Sequence, residues 1–205
     1  SNINSNGCFI DAEQNIYTLS TYENSTAGTK LVIHKLNPDG ELVWMDDSQQ
    51  FSPTGVFPIE LIEFDDKMLC FGRIGSDIFF YWLSKEGGPL EFFSTSYPDD
   101  FLFYAEIDPI GNTYLGDRSG QNKVTKFSPK GEFRWEYERF PEGDDLPNVP
   151  GRTYCLTYHE GFIYAGGILY LENDFYATIA KLDTATGIAL WESLHILPSS
   201  ASYDI

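Results

Sequence analysis

Apolar residues along this chain come in short runs bounded by Gly, Pro, Asn, Asp and Ser, and no stretch of twelve residues carries a helical period. Such runs predict strands. Four of them end in one recurring pattern: Lys35-Leu-Asn-Pro-Asp-Gly-Glu-Leu-Val-Trp44, Trp82-Leu-Ser-Lys-Glu-Gly-Gly-Pro-Leu-Glu-Phe92, Lys126-Phe-Ser-Pro-Lys-Gly-Glu-Phe-Arg-Trp135 and Lys181-Leu-Asp-Thr-Ala-Thr-Gly-Ile-Ala-Leu-Trp191. Each reads as a strand, a glycine-containing turn and a second strand that closes on a large aromatic, which is a hairpin signature. The closing aromatics are 48, 43 and 56 residues apart.

A second hairpin precedes each of these. Asp11-Ala-Glu-Gln-Asn-Ile-Tyr17 matches Asp108-Pro-Ile-Gly-Asn-Thr-Tyr114, Tyr158-His-Glu-Gly-Phe-Ile-Tyr164 fits the same frame, and Phe64-Asp-Asp-Lys-Met-Leu-Cys70 fits it with Cys in the Tyr position. Naming the strands of a repeat A to D, the B strands fall near residues 16–19, 69–71, 113–115 and 162–165. The C strands fall near 31–36, 78–83, 123–127 and 177–182. Four antiparallel strands in about 50 residues make a propeller blade, a sheet with two apolar faces that only neighbouring blades can cover. The expected fold is therefore an all-β propeller with blades at about 7–50, 56–98, 101–141 and 152–197. Small residues in the B strands (Gly72, Gly116, Ala165, Gly166) suit crowding near the propeller axis, and Trp44, Trp135 and Trp191 are expected to fill the wedge between blades. Residues 201–205 read as the start of a further A strand, so the expectation is a longer ring, with a closed four-bladed ring as the alternative.

The segment Asp183-x-x-Thr186-Gly187-x-x-x-Trp191 resembles the tryptophan-docking motif of quinoprotein (PQQ-like) propellers, and the Asn-Pro-Asp-Gly-Glu-Leu-x-Trp type of ending is similar to related bacterial propeller repeats. The resemblance implies that Gly187 opens the C–D turn, that Trp191 packs against the next blade, and that Asp183 and Thr186 hydrogen-bond around the turn. It covers nearly the whole chain as four repeats. The second is degenerate, with Phe92 where Trp is expected and Trp82 where Lys is expected. The quinoprotein enzymes stack a vicinal disulfide on their cofactor. Here the cysteines are scattered, and no set of positions matches the calcium ligands or the catalytic carboxylate. The resemblance is to a non-enzymatic branch, without a quinone cofactor.

Composition narrows the partners. The 205 residues carry 31 Asp and Glu against 13 Lys and Arg, a formal charge of −18. That charge repels phosphate backbones and anionic lipid, so neither nucleic acid nor membrane insertion is expected. Cys8, Cys70 and Cys155 show no metal-ligand spacing and read as buried free thiols in strands, with one disulfide and a spare thiol as the alternative. The start, Ser1-Asn-Ile-Asn, has neither a basic nor an apolar leader segment, so an export signal is expected to have been removed, giving an extracellular or periplasmic protein.

Candidate chemistry gathers in the D–A connections and B–C loops, which share one end of each blade. Acidic pairs follow strand D in three repeats: Asp46 and Asp47, Asp99 and Asp100, Asp144 and Asp145. Together with Glu23, Asp117, Glu172 and Asp174 they could hold Ca²⁺, which takes six to eight oxygens, or dock a basic partner. Aromatic residues interleave with these acids. Tyr97, Phe101, Tyr170 and Phe175 are the candidate platforms for a glycan or protein ligand, with Phe51, Phe57 and Phe140 nearby in sequence. His34, His159 and His195 fall in different repeats, and no nucleophile–base motif or phosphate loop is present. The residues therefore favour a non-catalytic binding scaffold. The alternatives are a propeller hydrolase, lyase or degenerate quinoprotein dehydrogenase on the same loops, or a structural subunit that assembles through its blade edges.

Overall fold

Among the described residues of the computed structural model (2–24, 28–51, 56–96, 102–117, 122–139, 151–171 and 174–196), seventeen strands and no helix are present. They form four antiparallel sheets, each ordered as its strands occur in the chain. Sheet one contains β1 (Asn2–Ile10), β2 (Ile16–Asn24), β3 (Gly28–Leu36) and β4 (Leu42–Asp46), with the two-residue β5 (Gln50–Phe51) added against β3. Sheet two contains β6 (Val56–Phe64), β7 (Lys67–Ile74), β8 (Asp77–Ser84) and β9 (Pro89–Ser96). Sheet three contains β10 (Leu102–Ile107), β11 (Thr113–Asp117), β12 (Lys123–Phe127) and β13 (Phe133–Glu138). Sheet four contains β14 (Gly151–His159), β15 (Phe162–Leu171), β16 (Asp174–Asp183) and β17 (Ala189–Ile196). The chain divides into two compact halves, Ser1–Pro98 and Asp99–Ile205, with two sheets in each.

The turns form where the sequence supplies a side chain to hold them. In the A–B turn of sheet one, Asp11 Oδ1 accepts the backbone N–H groups of Glu13 (2.9 Å) and Asn15 (2.8 Å), while Oδ2 accepts Asn15 Nδ2 (3.0 Å) and Tyr17 Oη (3.1 Å). Asp108 repeats the arrangement with Ile110, Asn112 and Tyr114. These carboxylates replace the backbone partners that a five-residue turn leaves unpaired. The C–D turns use Asn37, Ser84, Ser128 and Asp183 in the same way. Asn37 Oδ1 takes the N–H groups of Asp39 and Glu41, and Asp183 Oδ1 takes those of Ala185 and Thr186 together with the Thr186 hydroxyl. Those bonds, the Thr186 hydroxyl first, hold the Asp183 carboxyl below its ordinary range.

Two irregularities recur in all four sheets. A bulge interrupts each A–B ladder, between Ser5 and Gly7, Pro58 and Glu60, Leu102 and Tyr104, and Thr153 and Cys155. Opposite three of these bulges stands a glycine. A Cβ on Gly72 would lie 2.4 Å from the Phe57 carbonyl, and one on Gly166 would lie 2.6 Å from Cys155 Sγ. Gly72 and Gly166 therefore answer to the adjoining bulged strand, whereas a Cβ on Gly116 would meet Thr153 of sheet four at 2.8 Å. A second bulge follows the C-strand Lys or Trp in every sheet, at Lys35/Leu36, Trp82/Leu83, Lys126/Phe127 and Lys181/Leu182.

Each half has its own core. In the first, Tyr17, Leu19, Leu31 and Ile33 of sheet one pack on Leu61, Met68, Cys70, Phe79, Tyr81 and Leu83 of sheet two. In the second, Tyr114, Val124 and Tyr137 of sheet three pack on Ile163, Ala165, Ala180 and Leu182 of sheet four. The register of sheet two corrects the sequence alignment. Trp82 occupies the Lys position as expected, but its row partners are Leu69 and Glu91. Cys70 and Phe92 lie one residue further along and therefore on the opposite face, against sheet one, where Phe92 stacks on Phe79 at 5.9 Å. The cysteines are all free, and only Cys70 is buried. Cys8 and Cys155 are exposed, contrary to the expectation of three buried thiols.

Candidate functional site

The tryptophans make the joints within each half. Trp44 Nε1 and Lys35 Nζ both donate to the Lys85 carbonyl in the C–D turn of sheet two, at 3.0 and 3.1 Å. In the second half, Trp135 Nε1 and Lys126 Nζ both donate to the Thr184 carbonyl in the C–D turn of sheet four, at 3.1 and 2.7 Å. In both joints the indole lies over a turn glycine, Gly87 or Gly187, and each Lys ammonium sits over the neighbouring B-strand ring, Tyr17 at 5.4 Å or Tyr114 at 5.3 Å. The geometry accounts for the sequence pattern: Lys and Trp supply two donors, the Gly leaves room for the ring, and the Tyr carries the charge.

A polar bridge reinforces each joint. Tyr81 of sheet two donates its hydroxyl to Asp46 of sheet one at 2.6 Å. Tyr137 of sheet three donates to Glu192 of sheet four, which also pairs with Arg139. Asn122, ahead of β12, bridges to sheet four through Thr178 Oγ1 (2.7 Å) and Thr153 Oγ1 (3.0 Å).

The phenols of Tyr17, Tyr81, Tyr114 and Tyr137 are consequently held protonated well above the ordinary tyrosine range, by burial first and then by the carboxylate each one faces. A folded-state pKa raised in this way stabilises the fold fully below the unfolded value of about 10 and ceases to do so as pH rises beyond it. Alkaline titration followed by phenolate absorbance should therefore show these four of the 13 tyrosines ionising only as the β-sheet circular dichroism is lost. A single reversible wave near pH 10 for all tyrosines, with the sheet signal intact, would contradict the bridges.

The acidic candidates separate. Asp46 is buried, and besides Tyr81 it accepts the N–H of Ser48. Asp47 pairs with Lys30 at 2.8 Å, and that bond holds its carboxyl below the usual range. Asp99, Asp100, Asp144 and Asp145 lie outside the described residues. No group of three or more His, Cys, Asp or Glu able to hold a metal occurs among the described residues. Asp117, read from sequence as a B–C loop acid for a cation or a basic partner, is fully buried at the end of β11. Nothing in the local sequence signals the use of Asp46 by a tyrosine 35 residues away.

The aromatic candidates also separate. Tyr97 and Phe101 lie outside the described residues, and Phe51 is packed against Phe79 and Phe92. Tyr170 and Phe175 are brought together as directly opposed residues of β15 and β16, with ring centroids 4.9 Å apart, and they are 39% and 52% exposed at the B–C end of sheet four. The three histidines remain apart: His34 contacts Thr18, His159 lies near Glu160, and His195 contacts Ser193.

No family model matches the chain, and no curated protein matches it. Solved structures do. The chain is similar to the Dos1 propeller, with a TM-score of 0.50 and 10% identity over 86% of this chain and 43% of that one. The chain is a β-propeller. The propeller is also similar to a protein of unknown function from Bacteroides caccae, with a TM-score of 0.52 and 11% identity, covering 94% of this chain and 68% of that one. At these identities the likeness carries the fold alone. The four sheets are propeller blades, and Trp44 and Trp135, docked on the C–D turns of sheets two and four, join the blades within each half.

Proposed function

We propose that this propeller is a non-catalytic binding scaffold of the cell envelope or extracellular space, belonging to the non-enzymatic PQQ-like repeat class, and that a glycan or protein ligand engages the aromatic end of blade four. The observation that carries this reading is the solvent-facing Tyr170–Phe175 pair, held by two adjoining strands of one rigid sheet. Two aromatic rings fixed by backbone pairing offer apolar area at low entropic cost, which suits a sugar face or an interface anchor. The described acidic candidates support the same reading, since Asp46 and Asp47 are engaged in a bridge and an ion pair. The docking rows Tyr17–Lys35–Trp44 and Tyr114–Lys126–Trp135 support the repeat class, because their tryptophans pack on the turn of the neighbouring blade, as the resemblance implies for the Trp of this motif.

Calorimetric titration with a panel of neutral oligosaccharides tests the glycan form of this reading. At least one should bind, with affinity lowered about tenfold or more by Phe175→Ala or Tyr170→Ala. Binding that is unchanged in both variants would remove this end of blade four from the site.

A further inference from the structure

The A–B and C–D turns of sheets one and two gather at one end of the first half. In sheet two the Lys85 N–H of the C–D turn donates to the Asp66 carbonyl of the A–B turn at 3.2 Å. Trp44 of sheet one packs on Gly87 of that C–D turn. The Tyr17 phenol of sheet one, raised first by burial and by Asp11, also feels the charges of Glu86 and Glu63. These turns expose Glu13, Asp39, Glu41, Asp65, Asp66 and Glu86. Asn15 and Asn37 donate to Glu13 and Glu41, but neutral amides leave that charge uncancelled. Of the lysines at this end, Lys67 is exposed and Lys85 is paired with Glu63.

The turns themselves do not require these acids. The second half makes matching backbone hydrogen bonds around its turns with Ile110 in the place of Glu13, Lys130 in that of Asp39, Gly161 in that of Asp66 and Ala185 in that of Glu86. Apolar side chains stand beside the acids. The bulge of each outermost strand leaves one residue unpaired, and in sheets one and two that residue is Val43 or Leu90, 53% and 47% exposed. In sheets three and four it is Arg134 or Leu190. The first half alone therefore combines two apolar bulge residues with acidic turns. Neighbouring blades cover the faces of a sheet, whereas its outermost strand and its turns stay outside the stack, so this surface stays open however the ring is completed.

We propose that this end of the first half docks a basic amphipathic polypeptide segment, whose apolar side chains cover Val43 and Leu90 while its Lys and Arg side chains lie over the turn acids. Charge complementarity names the partner: an acidic segment would be repelled by every turn at this end, and a neutral one would leave the acids unpaired beside the contact. The apolar pair anchors the contact and the acids orient it, a division of labour usual at protein interfaces. The surface belongs to the first half, so it does not depend on the ligand reading of blade four.

Fluorescence anisotropy at physiological ionic strength tests it, the probe being a labelled helical peptide of leucine and lysine in which leucine repeats at the helical period. The peptide should bind the full chain at least about tenfold more tightly than a peptide with serine at the leucine positions. Asp39→Lys with Glu86→Ala, and separately Val43→Ser with Leu90→Ser, should each weaken binding at least about tenfold. Glu132→Lys with Glu160→Gly makes the same change in net charge on the turns of the second half and should alter binding less than about twofold. Circular dichroism spectra matching the parent establish that the variants are folded. No binding of the leucine peptide, equal binding of the serine peptide, Val43→Ser with Leu90→Ser leaving binding unchanged, or equal weakening by the two charge variants would each overturn the proposal, the last by reducing the contact to net charge.

Discussion

Asp108→Ala is expected to destabilise the second half of the chain by about 3 kcal/mol and to lower its melting temperature by about 10 °C. The carboxylate accepts four hydrogen bonds, from the backbone N–H groups of Ile110 (3.1 Å) and Asn112 (2.9 Å), from Asn112 Nδ2 (2.7 Å) and from Tyr114 Oη (2.9 Å). Ile110 is exposed, so its N–H group can turn to water. Tyr114 is fully buried and Asn112 nearly so, and their donors cannot. The loss therefore comes chiefly from three orphaned buried donors, the Asn112 N–H, Asn112 Nδ2 and the Tyr114 hydroxyl, each costing about 1–3 kcal/mol. Adding Tyr114→Phe to Asp108→Ala removes one of those orphans and should return about 1 kcal/mol, so the double variant should be more stable than Asp108→Ala alone. Chemical denaturation measures both steps. A loss below about 1 kcal/mol for Asp108→Ala would mean that water reaches the turn.

The second large effect is at Gly187. Its backbone is left-handed (φ +74°), and a Cβ there would lie 2.7 Å from Trp135 Cδ2 and 2.8 Å from Cε3. Gly187→Ala therefore carries two costs: about 1–2 kcal/mol for a side chain in that conformation, and a further amount of the same order for displacing the indole from its bond to the Thr184 carbonyl. Gly161 provides the internal control. It is also left-handed (φ +86°), but its Cβ would meet nothing within 4 Å. Gly161→Ala should show the conformational cost alone, and Gly187→Ala about twice as much or more, with a red shift of tryptophan emission only in the latter. Equal losses for the two variants would mean that the ring moves aside freely and that the joint contributes little.

These two residues also show what sequence can and cannot disclose. Asp11 and Asp108 were visible as frame markers because the turn they cap is local, with every partner within six residues. The glycine, tryptophan and lysine of the docking row were visible because the pattern recurs four times. Its meaning lies in partners about 40 to 60 residues away, such as Lys85 for Trp44 and Thr184 for Trp135, and only the strand register brings those together. In repeat two the pattern weakens, and a one-residue displacement of Cys70 and Phe92 moved both to the wrong face. With a side-chain period of two, no smaller error is possible. Asp46 was legible as an acid but not as the acceptor for Tyr81, and Asp117 was legible as polar but not as buried, because both depend on packing between elements distant in sequence. Of the aromatic candidates, Tyr170 and Phe175 were the two brought together, since five residues and a hairpin sufficed to make them opposite neighbours.

The bulge that follows the C-strand Lys or Trp in every sheet acts on a different problem, colloidal stability. The strand it distorts, β4, β9, β13 or β17, is the outermost of its sheet, and these strands carry exposed Leu42, Val43, Leu90, Phe133 and Leu190. A flat apolar edge of this kind is a template for another chain to add a strand, and amyloid growth begins in that way. A bulge at the same step of each edge twists the row of unpaired backbone groups out of line, so an incoming strand cannot continue the ladder past it. The net charge of −18 keeps chains apart at neutral pH, but near the isoelectric point of about 4.3 that repulsion is gone. In acid, four misplaced backbone steps then stand between the folded blades and a fibril.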